Sequence, residues 1–297
     1  MKFAVNYSPP LEELLNHEEI PEPDLVKIAP EFDGIKRKEY GDMVARAERI
    51  GLPIYRHFPF FIGSGTISEF YEKDWVKKIL DSTDETTKVN VHVNVDEENV
   101  RRYRQRVVKS RVRDLLDKDL ETVVNDFGKD NVIVENMPWH QKHPHYKSHV
   151  FSSDADILSD IIDRHDVGLL LDIDHARVRS NNLEGGLLEE SLEEYVAKLP
   201  IDRLQELHMT GTRYVEKSKR LQSHLSMEKL DWNILKWAFK NIQNGNWSKP
   251  DIYAFEYGSF GENFSWRSDP KVLQEQVPKI QALIVEHGLR EEVRSVL

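Results

Sequence analysis

One pattern limits what this chain can fold into more than any other. Short apolar runs of strand length recur along it, and most are followed by an amphipathic stretch. The runs are "FAVNY" (Phe3 to Tyr7), "LVKIAP" (Leu25 to Pro30), "PIYRH" (Pro53 to His57) and "KVNVHV" (Lys88 to Val93). They continue with "NVIVEN" (Asn131 to Asn136), "GLLLDI" (Gly168 to Ile173), "LQELHM" (Leu204 to Met209) and "IYAFEYG" (Ile252 to Gly258). Strands apolar on both faces belong to a parallel sheet covered by helices, and aliphatic and β-branched residues suit them. Helical patterns lie between them. Tyr40 to Gly51 closes on a glycine. From Asp96 to Phe127 the residues Val100, Tyr103, Val107, Val112, Leu116, Leu120, Val123 and Phe127 keep helical spacing in one long element. Ser152 to His165 opens on good N-cap residues, and Trp232 to Ile242 and Lys271 to His287 add two more helices. No linker or low-complexity segment interrupts the 297 residues. The expectation is an α/β fold, a single (β/α)8 TIM-barrel domain over residues 1–297. An open doubly wound sheet is the alternative, but the glycine-rich phosphate loop it often carries is absent.

In such a barrel, chemistry sits at the C-terminal ends of the strands. The third run ends in His57, the fourth carries His92 and the fifth ends in Glu135. The sixth delivers Asp172, the seventh His208 and the eighth Glu256. The gaps between them are 35, 43, 37, 36 and 48 residues, each about one βα unit. Three carboxylates converging on one rim would repel one another, and a divalent cation removes that penalty. Imidazole with carboxylate suits zinc, manganese or iron, whereas magnesium or calcium would favour oxygen alone. His175, three residues after Asp172, and His224 in "RLQSHLSM" are placed to turn inward from the loops that follow their strands.

Composition narrows the function further. There is no cysteine, so disulfides, thiolate ligands and a cysteine nucleophile are excluded. The formal net charge of -11 works against nucleic acid as a partner. The basic run from Arg101 to Arg113 reads as one solvated helix face. With no apolar leader and no apolar stretch approaching ~18 residues, a soluble cytoplasmic protein without a membrane partner is expected. Arg213 and Lys217 could meet a phosphate, and Trp139 could stack on a substrate or fill the core. His140, His143, His145 and His149 cluster after the fifth run in no closed zinc pattern, so a polar loop is expected there. Glu31, beside Pro30, stays outside the ligand set.

At these residues the chain resembles the xylose isomerase-like TIM-barrel superfamily, which includes the endonuclease IV-type AP endonucleases (AP endonuclease family 2) and the sugar isomerases and epimerases. The resemblance spans about Phe3 to Glu286 and lies mainly in the motifs. "RHFPFF" around His57 resembles a histidine followed by a small residue, proline and an aromatic, with Phe58 in place of the small residue. "LLLDIDHARV" resembles the D-x-x-H-A element, while "LQELHM", "HLSM" and "YAFEYG" stand where the later histidines and the final glutamate fall. The endonuclease IV branch implies up to three metals. His57, His92 and Glu135 would serve a first, and Glu135 would bridge to a second held by Asp172, His208 and Glu256. His175 and His224 would hold a third, although Gln222 replaces the aspartate expected two residues before His224. The isomerase branch implies one metal on Glu135, Asp172, His208 and Glu256. There the two glutamates exchange the substrate proton and His175 orients the sugar.

Three activities follow as expectations. The first is hydrolysis of a phosphoester by two to three metals, zinc first and manganese or iron as alternatives. Its substrate would be a small phosphorylated molecule, with abasic DNA disfavoured by charge. The second is sugar isomerisation or epimerisation with Glu135 and Glu256 as acid and base. The third is oxidation of cysteine residues in peptides, as similar barrels with two or three irons perform. A non-enzymatic metal-binding barrel is the fourth reading, and so complete a ligand ring argues against it.

Overall fold

A computed structural model describes residues 1–28, 37–58, 60–65, 67, 73–82, 85–139, 147–180, 190–258 and 267–290. The chain divides into two compact units, one of Met1–Arg56, Gln205–Gly211 and His224–Leu297, the other of His57–Leu204 and Thr212–Ser223.

The first unit carries strands β1 (Lys2–Asn6), β2 (Leu25–Ile28), β3 (Ile54–Arg56), β8 (Leu204–His208) and β11 (Ile252–Phe255). Their order is β3-β2-β1-β11-β8, and every pairing is parallel. Register sets Asn6 level with Lys27 and Lys27 level with Tyr55, so these three side chains share one face. Helices α1 (Pro9–Asn16), α2 (Arg37–Glu48), α9 (Lys229–Gln243) and α10 (Pro270–Glu286) belong to this unit. Ser8 starts α1 by accepting from the Leu11 backbone N–H, with prolines in the first turn where no donor is needed. Tyr7, Val26, Ile28, Met43, Ala47 and Ile54 pack into one core cluster, where each large apolar side chain contributes about 1.5–3 kcal/mol.

The second unit carries β4 (Phe60–Ile62), β5 (Val89–Val93), β6 (Val132–Glu135) and β7 (Gly168–Asp172), again all parallel, in the order β7-β6-β5-β4. Helices α3 (Lys73–Ser82), α4 (Glu97–Val100), α5 (Gln105–Phe127), α6 (Ala155–His165), α7 (Ile173–Ser180) and α8 (Leu192–Ala197) follow its strands. Asp119 of α5 is buried and accepts from the backbone N–H groups of Gly63 and Gly65, both at 2.8 Å, fixing the turn after β4. A Cβ on Gly63 would lie 2.6 Å from the Asn94 carbonyl oxygen, so this close approach needs glycine. Strands β9 (Gly211–Val215) and β10 (Arg220–Leu225) form a separate two-stranded ribbon.

The parallel α/β class agrees with the sequence, while several boundaries differ. The eight runs correspond to β1–β3, β5–β8 and β11; β4 is additional because its apolar run is only three residues long and follows closely on β3, and the ribbon because its strands make no apolar run of the kind a covered strand shows. The element expected over Asp96 to Phe127 breaks between α4 and α5, where Arg104 takes an extended N-cap conformation that apolar spacing does not reveal. "GLLLDI" ends its strand at Asp172, and Ile173 already begins α7. Among the described residues no helix is long and apolar enough to cross a membrane.

Candidate metal centre

In the second unit, His92 sits on β5 level with Glu135, the last residue of β6. His57 follows directly on β3 and is buried beside them. His57 Nε2 and His92 Nε2 lie 3.1 Å apart, and Glu135 Oε2 is 2.9 Å from the His92 nitrogen and 3.3 Å from the His57 nitrogen. The Phe60 carbonyl oxygen, 3.1 Å from His92 Nδ1, can only accept, so Nδ1 carries the proton and Nε2 is left as the ligand atom of the neutral ring. The Asn90 amide nitrogen lies 3.1 Å from His57 Nε2, a neutral contact that, unlike a buried ammonium, puts no competing charge at the site. Glu135 Oε2 accepts no well-directed hydrogen bond despite its two close ring nitrogens. Three electron-rich atoms facing one point in a dry interior require a positive charge between them, either a proton or a metal. The three are mutually close enough to share one ion, and the donor chemistry fits a divalent transition metal.

The other oxygen of Glu135 faces away, with Oε1 3.3 Å from His175 Nδ1. His175 lies in the first turn of α7 rather than in a loop, because Asp172 Oδ1 accepts its backbone N–H at 2.7 Å as an N-cap residue does. Its Nδ1 donates to the Asn136 carbonyl at 2.9 Å, and its Nε2 faces Asp172 Oδ2 at 3.5 Å. Glu135 thus has one oxygen toward the His57 and His92 pair and the other toward His175. In the metal-free chain burial pushes its carboxyl up, but the charge of a protonated His92 ring and the close contacts of His175, His57 and His92 outweigh burial and hold it well below the ordinary carboxylate range.

Two asparagines that the sequence reading missed hold this cluster in place. Asn90 accepts from the Phe58 backbone N–H at 2.6 Å and donates to the Phe58 carbonyl at 2.8 Å, next to His57. Asn136 does the same to the backbone of Asp172, at 2.8 Å in both directions. Each amide side chain substitutes for a strand partner where the ladder ends. The signal was visible for Asn90, which lies two residues before His92 and so on the same strand face.

In the first unit, His208 ends β8 and Glu256 follows β11. They meet a residue absent from the expected set, Lys27 of β2. Its Nζ is 2.6 Å from Glu256 Oε1 and 2.9 Å from His208 Nε2. Glu206, two residues before His208, contacts the same ring and accepts the Tyr55 hydroxyl. Burial pushes His208 down, but Glu256 and Glu206 outweigh burial and the opposing charge of Lys27, leaving it raised. His224 lies on β10 with Nδ1 3.4 Å from Glu256 Oε2 and a left-handed φ of 59°. Such strain costs of order 1–3 kcal/mol and clusters at functional positions.

The remaining candidates fall elsewhere. Trp139 is buried and donates its indole N–H to the Ser148 carbonyl. Arg213 is half-buried on β9, and Lys217 lies in the ribbon turn. Gln222 donates its amide to Ser218 within the ribbon. His149 accepts the Phe151 N–H as the cap of a short 3-10 turn. His140, His143, His145 and Glu31 lie outside the described residues.

The family of RiPP precursor modification enzymes MbnB/TglH/ChrH matches residues 108–245, just under half of the chain. That segment contains Glu135, Asp172, His175, His208 and His224. Among solved structures, the chain is similar to a xylose isomerase-like TIM barrel/4-hydroxyphenylpyruvate dioxygenase fusion protein, with 13% identity and a TM-score of 0.53. That match covers 99% of this chain and 45% of the fusion protein. That likeness shows the fold alone, a parallel α/β fold of the xylose isomerase-like kind. Weaker likenesses to SacUVDE (13% identity, TM-score 0.46, 94% and 99% of the two chains) and to a protein of Sinorhizobium meliloti 1021 (10%, 0.48, 95% and 98%) accompany it. Curated proteins give no match. The chain itself has the ligand types for a metal site.

Proposed function

We propose that this chain is an iron-dependent enzyme that oxidises a side chain of a peptide substrate. The observation that carries the reading is the pair of histidines with one carboxylate, His57, His92 and Glu135, converging within 3.3 Å. Two histidines and a carboxylate are the ligand set of non-haem ferrous enzymes, and they leave coordination positions open. Similarity to RiPP precursor modification enzymes over 108–245 supports a peptide as the substrate. This replaces zinc as the first choice of metal and raises the third of the expected activities above phosphoester hydrolysis and sugar isomerisation. The (β/α)8 arrangement and the substrate contacts expected of Arg213 and Trp139 belong to the same reading.

When bound, iron would supply one-electron and dioxygen chemistry. The protein's own part is positional and electrostatic. Phe60 fixes the His92 tautomer through its carbonyl, and the Asn90 clamp sets the backbone beside His57. Glu135, held ionised by its surroundings, supplies negative charge that favours ferrous ion. Its second oxygen is held by His175, whose ring Asp172 faces from the other nitrogen. Burial of all five side chains keeps bulk water away from the reacting position.

The test is anaerobic reconstitution of the full chain with ferrous ion. It is followed by exposure to dioxygen with a library of cysteine-containing peptides, read by mass spectrometry. Oxidative mass changes that vanish in His92→Ala are expected. Zinc-dependent hydrolysis of a model phosphodiester, with no oxidation of any peptide, would overturn the proposal in favour of the hydrolase.

A further inference from the structure

The ligand set expected from the sequence includes His208 and Glu256, yet the structure gives both another partner. Lys27 is fully buried, on a strand whose other residues are apolar. Its ammonium nitrogen lies 2.6 Å from Glu256 Oε1, 2.9 Å from His208 Nε2 and 3.9 Å from Glu206 Oε1. A transition metal bound to an imidazole and a carboxylate needs ligand distances of about 2.0–2.2 Å to both. Nζ stands within 2.9 Å of both atoms and so competes with a metal for the space between them. The imidazole is committed in either tautomer. If His208 Nε2 carries the proton, it donates to Glu206; if it carries the lone pair, it accepts from Lys27. Either way Nε2 offers no lone pair to a metal, and Nδ1, 3.5 Å from Lys27 Nζ and 3.4 Å from Glu256 Oε1, faces the same two groups. An unpaired lysine at this depth would be expensive, and Glu256 supplies the charge that permits it.

We infer that Lys27 is the resident cation of the Glu206–His208–Glu256 cluster, and that His208 and Glu256 bind no divalent metal while it is present. The inference rests on the metal-centre reading only in dividing the expected ligands: His57, His92 and Glu135 keep the metal, and His208 and Glu256 keep the lysine. A methionine at position 27, close in size and without charge, would vacate the position and turn this cluster into a metal site.

The test uses the full chain, stripped with chelator and reloaded with zinc alone, a redox-inert probe; bound zinc per chain is read by elemental analysis after dialysis. Wild type and His208→Ala are expected to bind equal zinc, as is Glu256→Gln, whereas His92→Ala loses it. Lys27→Met is expected to gain about one equivalent, the count for a single imidazole–carboxylate site, and adding His208→Ala should remove it. Loss of zinc in His208→Ala alone overturns the inference, as does a folded Lys27→Met that gains none. If Lys27→Met does not fold, the His208→Ala and Glu256→Gln counts decide. A wild type that binds no zinc beside a Lys27→Met that does would uphold the Lys27 inference and sink the His57, His92 and Glu135 centre. No zinc in either would sink both.

Discussion

The two buried clusters use the same vocabulary of histidine and carboxylate at strand ends, yet they solve opposite problems. Around His57, His92 and Glu135 the electron-rich atoms crowd together with only protons available among protein groups to neutralise them. Around His208 and Glu256 the protein supplies its own cation, Lys27. The first is a site that gains by taking up a metal; the second is already neutralised. Ligand-type residues at matching positions are therefore insufficient evidence of a metal. What stands opposite them decides.

The strongest way to break this comparison is to remove the internal cation. In the presence of chelator, Lys27→Met leaves Glu256 buried without its partner, and a loss of about 3–5 kcal/mol in unfolding free energy is expected by urea denaturation. Lys27→Met combined with Glu256→Gln should recover much of that loss, because removing both charges leaves neither uncompensated. A single variant as stable as wild type would show that Lys27 contributes no needed charge. The two clusters would then be alike.

The pH dependence of the metal-free chain sharpens the comparison with opposite signs. Glu135 is held below its ordinary value of 4.5, so its contribution is present above that value and is lost as pH falls toward the folded one. His208 is raised above 6.5, so its contribution is full below that value and is lost as pH rises through the folded one. Urea midpoints across pH should therefore show an acid-side decline that Glu135→Gln reduces and an alkaline-side decline that His208→Gln reduces. A tenfold difference in proton affinity between folded and unfolded chain corresponds to about 1.4 kcal/mol. If both variants flattened the same side, the charge assignment of one cluster would be wrong.

Much of this was legible in the sequence, and the omissions have physical causes. The parallel strands announced themselves as apolar runs because strands covered on both faces can tolerate little else. The strand-end ligands were visible for the complementary reason: a carboxylate or imidazole closing such a run is costly unless something uses it. Lys27 was equally visible inside "LVKIAP" and was passed over, because a search for metal ligands ignores cations. Glu206 and Asn90 each lie two residues from an expected histidine, and strand alternation alone places them on its face. The ribbon of β9 and β10 was not legible, since its half-exposed polar strands lack a continuous apolar run. His175 in a helical turn follows from Asp172 capping α7, a local hydrogen bond that a loop reading of D-x-x-H does not contain.

The smallest expected effect separates holding the fold from holding the ligands. Asn90 and Asp119 are both buried polar residues of the second unit that accept backbone N–H groups near β4. Replacing either with alanine orphans buried donors and should cost about 1–3 kcal/mol in stability. Their consequences for metal should differ. Asn90 clamps Phe58 and touches His57 Nε2 directly, so Asn90→Ala is expected to weaken zinc affinity about 10–100-fold, as loss of an outer-sphere partner does. Asp119 accepts the backbone N–H groups of Gly63, Gly65 and Ile67 and touches none of the ligands, so Asp119→Ala should leave affinity within about twofold of wild type. Competition with a chromophoric chelator measures both. An equal loss of affinity in the two variants would mean that the His57 position depends on general packing of this unit and not on the asparagine clamp. The orphaned-charge account of the His57, His92 and Glu135 cluster would then lose its structural support.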